Sequence, residues 1–207
     1  SPLYLAQSRR RIVSDERMHD LACWTGTELY ERRPLPQDRS GMVYDGHRLQ
    51  LHVPGHRGHP WHPGMAYRRI RTGEDSLCFA LQLRPGATVL DCTLGMGHDA
   101  LVMANAGATV YGLELNPAQL VYTAMGMYEY SPTLSSRIHV RCIDMNSWLP
   151  QVASGAVDHV YIDPMFPNSD YRKHNITWAL LRRVHGGDGA PSEALLNDAL
   201  RIARRSV

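Results

Sequence analysis

Between residues 88 and 162, short apolar runs alternate with longer stretches whose apolar positions recur at helical spacing. Residues 88–92, 109–114, 138–142 and 157–162 read as strands: brief and rich in β-branched residues. Between them, 95–105 reads as a glycine-bearing turn running into a helix. Asn116-Pro117 supplies an N-cap with proline at the first helical position, opening a helix to about residue 130. Buried strands that alternate with helices need crossover connections, which make a parallel sheet covered on both faces. The pattern therefore predicts an α/β, doubly wound fold. Helices are expected near 175–184 and over 192–205. The sequence then ends where a fifth strand ought to start, so C-terminal strands are expected to be missing.

Ahead of this lies a different pattern. Ser14-Asp15-Glu16 is a helix opening, with a side-chain cap and acids in the first turn, and the helix should end near Gly26. Residues 42–51 place Asp45-Gly46 between apolar flanks, a hairpin signal. The chain thus divides into a small α/β region over 1–55 and a main domain over 56–207.

Composition narrows the class. The chain of 207 residues is 43% hydrophobic and 20% charged, within the range of a globular domain, with a formal net charge of +2. That charge permits nucleic-acid binding without demanding it. No apolar run has membrane-spanning length and no N-terminal segment reads as a signal peptide, so a cytoplasmic location is expected. Cys23, Cys78, Cys92 and Cys142 form no close pair, and are expected to be reduced and mostly buried.

Open parallel sheets bind ligands beyond the carboxyl ends of their strands. Four such ends here carry acids: Asp91 with the loop Gly95-Met96-Gly97, then Glu114, Asp144, and Asp163-Pro164. Any one of them alone is best read as a helix cap or a solvated side chain; four in register favour a ligand. The glycines let the backbone approach that ligand, and the helix after Gly97 offers free N–H groups to an anion. Glu114 is placed to accept from a ribose diol, and Asp144 from an adenine amino group. Gly95–Ala100 also fits the relaxed dinucleotide fingerprint G-x-G-x-x-A, but Asp91 would repel a pyrophosphate. A ligand with an ammonium group and a carboxylate suits these charges better, and S-adenosylmethionine has both.

Asp-Cys-Thr-Leu-Gly-Met-Gly-His-Asp-Ala (91–100) together with Tyr-Ile-Asp-Pro-Met-Phe-Pro (161–167) and His-Pro-Gly-Met-Ala (62–66) resembles a known family. It is similar to the class I S-adenosylmethionine-dependent methyltransferases, and within them to the bacterial 16S ribosomal RNA guanine-N2 methyltransferase group with its uncharacterised relatives. The resemblance covers roughly residues 62–207 and not the N-terminal region. It implies a Rossmann-like sheet, S-adenosylmethionine as cofactor, and RNA (ribosomal RNA first) as substrate. By the same resemblance His98, Asp99, Glu114, Leu115, Asp144, Met145 and Asp163 stand at cofactor positions. His62, Arg68 and Arg69 fall on the side of the substrate or its phosphates.

The Asp-Pro that stops the fourth strand then acquires a candidate role. An exocyclic amine is a poor nucleophile because its lone pair is delocalised into the ring. The Asp163 carboxylate and the Pro164 carbonyl could hold its N–H groups and turn the lone pair outward, with Phe166 stacking on the base. The resemblance extends to the D/N-P-P-Y/F turn of amino-methyltransferases, with Met165 replacing the second proline. Rival expectations are a small-molecule or protein amine as acceptor, a non-catalytic partner subunit, and an NAD-dependent oxidoreductase. His52, His56, His59 and His62 invite a zinc reading, but prolines and glycines among them favour a polar loop with no fixed face.

Overall fold

The computed structural model describes residues 59–164 and 191–207 without a break, and before them 4–7, 18, 20, 22–23, 27–29, 35, 38, 41–44 and 48–52. They belong to two compact units. One holds the described residues up to His62 with Asn116–Gly126; the other holds Pro63–Leu115, 127–164 and 191–207.

The first unit is built on a five-stranded sheet. Strands β1 (Tyr4–Gln7), β2 (Glu28–Leu29), β3 (Gly41–Tyr44), β4 (Leu49–His52) and β5 (His59–Pro60) stand in the order β2-β1-β3-β4-β5. The expected hairpin is present: β3 and β4 pair antiparallel, with Met42 opposite Leu51 and Tyr44 opposite Leu49, and all four side chains are buried. The histidine-rich stretch departs from a featureless loop. His59 pairs with Leu51 across β4 and β5, which puts His52 on the opposite face of the sheet from His59 and divides the proposed zinc ligands. His56 lies outside the described residues, as do most of the expected helix 14–26 and the whole of 175–184.

The second unit contains helices α1 (Ala66–Thr72) and α2 (Ser76–Ala80), strand β6 (Thr88–Asp91), helix α3 (His98–Asn105) and strand β7 (Thr109–Glu114). Helix α4 (Pro117–Tyr130) begins in the first unit and ends in the second. After it come α5 (Pro132–Ser135), β8 (Ile138–Cys142), α6 (Met145–Trp148), β9 (Val157–Tyr161), α7 (Glu193–Ile202) and β10 (Ala203–Ser206). The sheet is wholly parallel, in the order β10-β9-β6-β7-β8. Its first strand, β6, lies centrally, with later strands added on both sides, so the order reverses between β6 and β9.

Helix α7 shows why the sheet gains a fifth strand that the sequence was expected to lack. Ser192 caps its N-terminus through Leu195 N–H, and Leu195, Ala199 and Ile202 are buried with Leu90, Leu113 and Val160. At Ala203 the backbone turns extended (φ −76°, ψ 135°) and pairs beside β9, so the helix stops short of 205. Asp158 ties this edge together, accepting from the Thr88 N–H (2.9 Å) and from Arg204 Nε (3.2 Å). Those bonds, led by the Thr88 N–H, hold its carboxyl down to about 2. The four cysteines are free, but only Cys92 is buried; Cys23 and Cys142 are exposed, against expectation.

Candidate cofactor and methyl-transfer site

The site forms at the carboxyl ends of β6, β7 and β9, where the strand order reverses. Asp91 ends β6 and pairs with Tyr161 on one side and Gly112 on the other. The chain then turns sharply: Thr93 N–H donates to Asp91 Oδ1 (3.0 Å), and Gly97 N–H to the Leu94 carbonyl (2.7 Å). Gly95 (φ +50°) and Gly97 (φ +70°) take left-handed conformations that disfavour a side chain, and Gly97 is the N-cap of α3.

This loop fits its surroundings through two further glycines. A Cβ on Gly112 of β7 would lie 2.7 Å from Leu94 Cδ1, and one on Gly64 would lie 2.6 Å from His98 Cε1. The second contact brings the His-Pro-Gly-Met-Ala segment against the first residue of α3. Leu94 is buried, with little room to swing aside. Gly112→Ala is therefore expected to lower the melting temperature by several degrees and weaken cofactor binding roughly tenfold, since overpacking costs about 1–3 kcal/mol. Thermal scans with and without S-adenosylhomocysteine check this.

Carboxylates converge on the loop. Asp91 is 1% exposed and Glu114 6% exposed. Burial pushes the Asp91 carboxyl up to about 7, and the charges of Asp99, Asp163 and Glu114 add to the rise against the Thr93 N–H bond. Asp163 is exposed as a residue, yet its carboxyl is raised too, first by partial desolvation and then by Asp99. Such mutual repulsion fits a cationic ligand, and the glycine turn leading into α3 fits a carboxylate. S-adenosylmethionine carries both groups.

The Asp91 shift has a sign that can be measured. Its folded value lies above the ordinary carboxyl value of about 4, so between those limits the folded chain binds more protons than the unfolded one. Stability of the ligand-free protein should therefore decline as pH rises through about 7. An ammonium group beside the ionised carboxylate reverses the preference, so affinity for S-adenosylhomocysteine should rise over the same range. Calorimetry and melting curves from pH 5 to 8 test both trends, and Asp91→Asn should flatten both.

The remaining expected residues are placed as follows. Leu115 is exposed directly after Glu114. Asp144 follows β8 and is the N-cap of α6, its Oδ1 accepting from the Asn146 N–H (3.0 Å) and Asn146 Nδ2 (3.1 Å); Met145 opens that helix. Strand β9 ends at Tyr161. Asp163 N–H then leaves the ladder for Thr93 Oγ1 (2.8 Å), which puts the Asp163-Pro164 turn beside the glycine loop. Phe166 lies outside the described residues. His62 and Arg68 are exposed.

Arg69 has a different occupation from the substrate contact expected of it. Its Nε and Nη2 grip the Asp75 carboxylate at 2.6 Å and 3.0 Å, while Nη1 bonds Asp99 Oδ1. The other Asp99 oxygen accepts from the Tyr161 hydroxyl (3.0 Å). Asp75, Thr93 and Tyr161 had no expected role, although Thr93 and Tyr161 stand within the motifs at 91–100 and 161–167.

Acids at the ends of β6 and β7, a third just past β9, and a glycine turn into a helix where the strand order reverses are features of a nucleotide-cofactor-binding α/β domain. Residues 61–207 match the profile of the SAM-dependent methyltransferases, SAM_MT. The chain belongs to that family, and S-adenosylmethionine is the family's cofactor. The chain is 30% identical to the uncharacterized protein YpiP of Bacillus subtilis over 198 residues, covering 89% of this chain and 76% of that one. It is 35% identical to the ribosomal RNA small subunit methyltransferase J of Psychrobacter arcticus, also over 198 residues, covering 82% and 67%. With the enzyme of the same name from Marinobacter nauticus the identity is 33% over 157 residues, 69% of this chain. Of that protein's own length the chain spans 55%, about half. The fold matches the crystal structure of a SAM-dependent methyltransferase from Neisseria gonorrhoeae with a TM-score of 0.71 at 20% identity, over 97% of this chain and 81% of that one. Among the described residues no helix is long and apolar enough to cross a membrane.

Proposed function

We propose that this chain methylates an exocyclic amine of a nucleobase in RNA, with guanine N2 of small-subunit ribosomal RNA as the first target and the cytoplasm as its location. The observation that carries the reading is the Asp163-Pro164 turn. Its backbone has left the sheet and is tied to Thr93 of the glycine loop, which supports a role for the Asp163 carboxylate and the Pro164 carbonyl as acceptors there. Relatives named for ribosomal RNA methylation support the substrate class.

The cofactor supplies an electrophilic methyl on a sulfonium centre that departs as a neutral thioether. Asp91, Gly95, Gly97 and His98 would hold its amino-acid end, Glu114 with Leu115 its ribose, and Asp144 with Met145 its base. Asp163 and the Pro164 carbonyl accept from the amine and aim its lone pair. No strong base is required, because the nitrogen becomes acidic once methylated and its proton leaves then. Catalysis is orientation and charge.

Incubating the protein with radiolabelled S-adenosylmethionine and a cell extract tests the acceptor class. Label in RNA is the expected result. Label confined to protein or small molecules overturns the RNA reading, and no transfer to any fraction favours a non-catalytic partner.

A further inference from the structure

We propose that Arg69, Asp99 and Tyr161 form a strut that fixes the Asp163-Pro164 turn relative to the cofactor loop, making all three positioning residues for methyl transfer. The inference rests on the reading of Asp163 given above. The strut starts at the N-terminus of α2, where Asp75 Oδ1 accepts from the N–H groups of Leu77 (3.0 Å) and Cys78 (3.2 Å) and so cannot swing. Asp75 grips Arg69 of α1 at two points, and the third guanidinium arm reaches Asp99 in the first turn of α3. Asp99 then receives the hydroxyl of Tyr161, the last residue of β9 and two before Asp163. The three motifs quoted from the sequence, at 62–66, 91–100 and 161–167, thus lead into or contain the members of one bonded chain.

The protonation states suit a fixed link. The Asp75 bonds drive the Arg69 pKa further up, and the Arg69 bond holds Asp75 down, so both stay charged. Burial, and next the Asp99 charge, raise the Tyr161 phenol, which stays protonated and remains a donor. With both Asp99 oxygens engaged by protein, its carboxylate acts as a joint between segments, where the family resemblance would make it a cofactor ligand. Thr93 Oγ1 on Asp163 N–H is a second tie between the same two segments. In-line transfer tolerates misplacement poorly, a shift of about 1 Å costing on the order of 100-fold in rate. Loosening the strut should therefore lower turnover and leave cofactor affinity nearly intact.

The test compares Tyr161→Phe, Arg69→Met and the double variant in the full chain, with Arg69→Lys in reserve should Arg69→Met fail to fold. Three quantities are read: turnover of labelled methyl into small-subunit ribosomal RNA, the Kd for S-adenosylhomocysteine, and hydrogen exchange of the Asp163 N–H without cofactor. Expected are a roughly tenfold fall in kcat for each single variant, a Kd within about threefold, and faster exchange at Asp163. The double variant should be little worse than the poorer single one, because both act through Asp99. Unchanged kcat with unchanged exchange overturns the strut, as does a loss that multiplies in the double variant. A risen Kd with unchanged kcat also overturns it and makes these residues cofactor ligands. Asp163→Ala is run alongside. Full activity there, with faster Asp163-segment exchange in Tyr161→Phe, refutes the orientation reading and keeps the strut. Loss there, with a normal Tyr161→Phe, refutes the strut alone.

Discussion

Asp163→Ala should leave the protein folded and able to bind S-adenosylmethionine while turnover falls by about two to four orders of magnitude. The side chain is exposed and lies two residues past the end of β9, so its removal leaves no cavity, and stability should change by no more than about 0.5 kcal/mol. The Asp163 N–H bond to Thr93 is a backbone contact and survives the substitution. What is lost is the acceptor that orients the amine, an interaction needed in the transition state, so the loss should appear in kcat and in kcat/KM alike. Asp163→Asn separates acceptance from charge. Its side-chain oxygen still takes one N–H, and activity should fall between the wild type and alanine. Single-turnover kinetics with labelled cofactor measure both, and melting curves show whether folding explains any of the loss.

Glu114→Ala should act at the other end of the reaction. The Glu114 carboxylate is buried at the end of β7 and is one of the charges that raise Asp91. Two charge-assisted hydrogen bonds to a ribose diol contribute about 1.5–3 kcal/mol each, so affinity for S-adenosylhomocysteine should drop by about 100-fold or more. Because Glu114 sits among like charges, the ligand-free variant should melt within a few degrees of the wild type. Glu114→Gln should fall between. Calorimetric titration resolves the affinities, and kcat at saturating cofactor should change far less than the Kd.

The strands of the main sheet were legible because each is a short apolar run punctuated by glycine, proline or asparagine. β7 and β8 fall on the expected residues, and β6 and β9 end one residue early. Asn116-Pro117 announced α4 through cap chemistry that acts within one turn. Residues 203–206 were misread for the opposite reason. Ala-Arg-Arg carries helical propensity, and no glycine marks the stop. Pairing with β9, a contact formed across the intervening chain, overrides local preference there.

The same division runs through the site. Acids at strand ends follow from the periodicity that predicts the strands, so Asp91, Glu114, Asp144 and Asp163 were visible as a set. The reason for Gly112 was not, because it lies in the Leu94 side chain above it. Nor was the engagement of Arg69. A basic residue on a short helix reads as a surface contact until the fold sets Asp75 and Asp99 beside it. The Tyr161 hydroxyl bond to Asp99 joins residues 62 positions apart, and no spacing rule reaches that far.

Transfer to an exocyclic amine presented to the Asp163-Pro164 turn is measured most directly by mass spectrometry of nucleosides from small-subunit ribosomal RNA treated with the protein and isotopically labelled S-adenosylmethionine. Label is expected in N2-methylguanosine from the wild-type reaction, with its loss in Asp163→Ala. Label on a ribose hydroxyl or a base carbon, or an undiminished yield from Asp163→Ala, would contradict it.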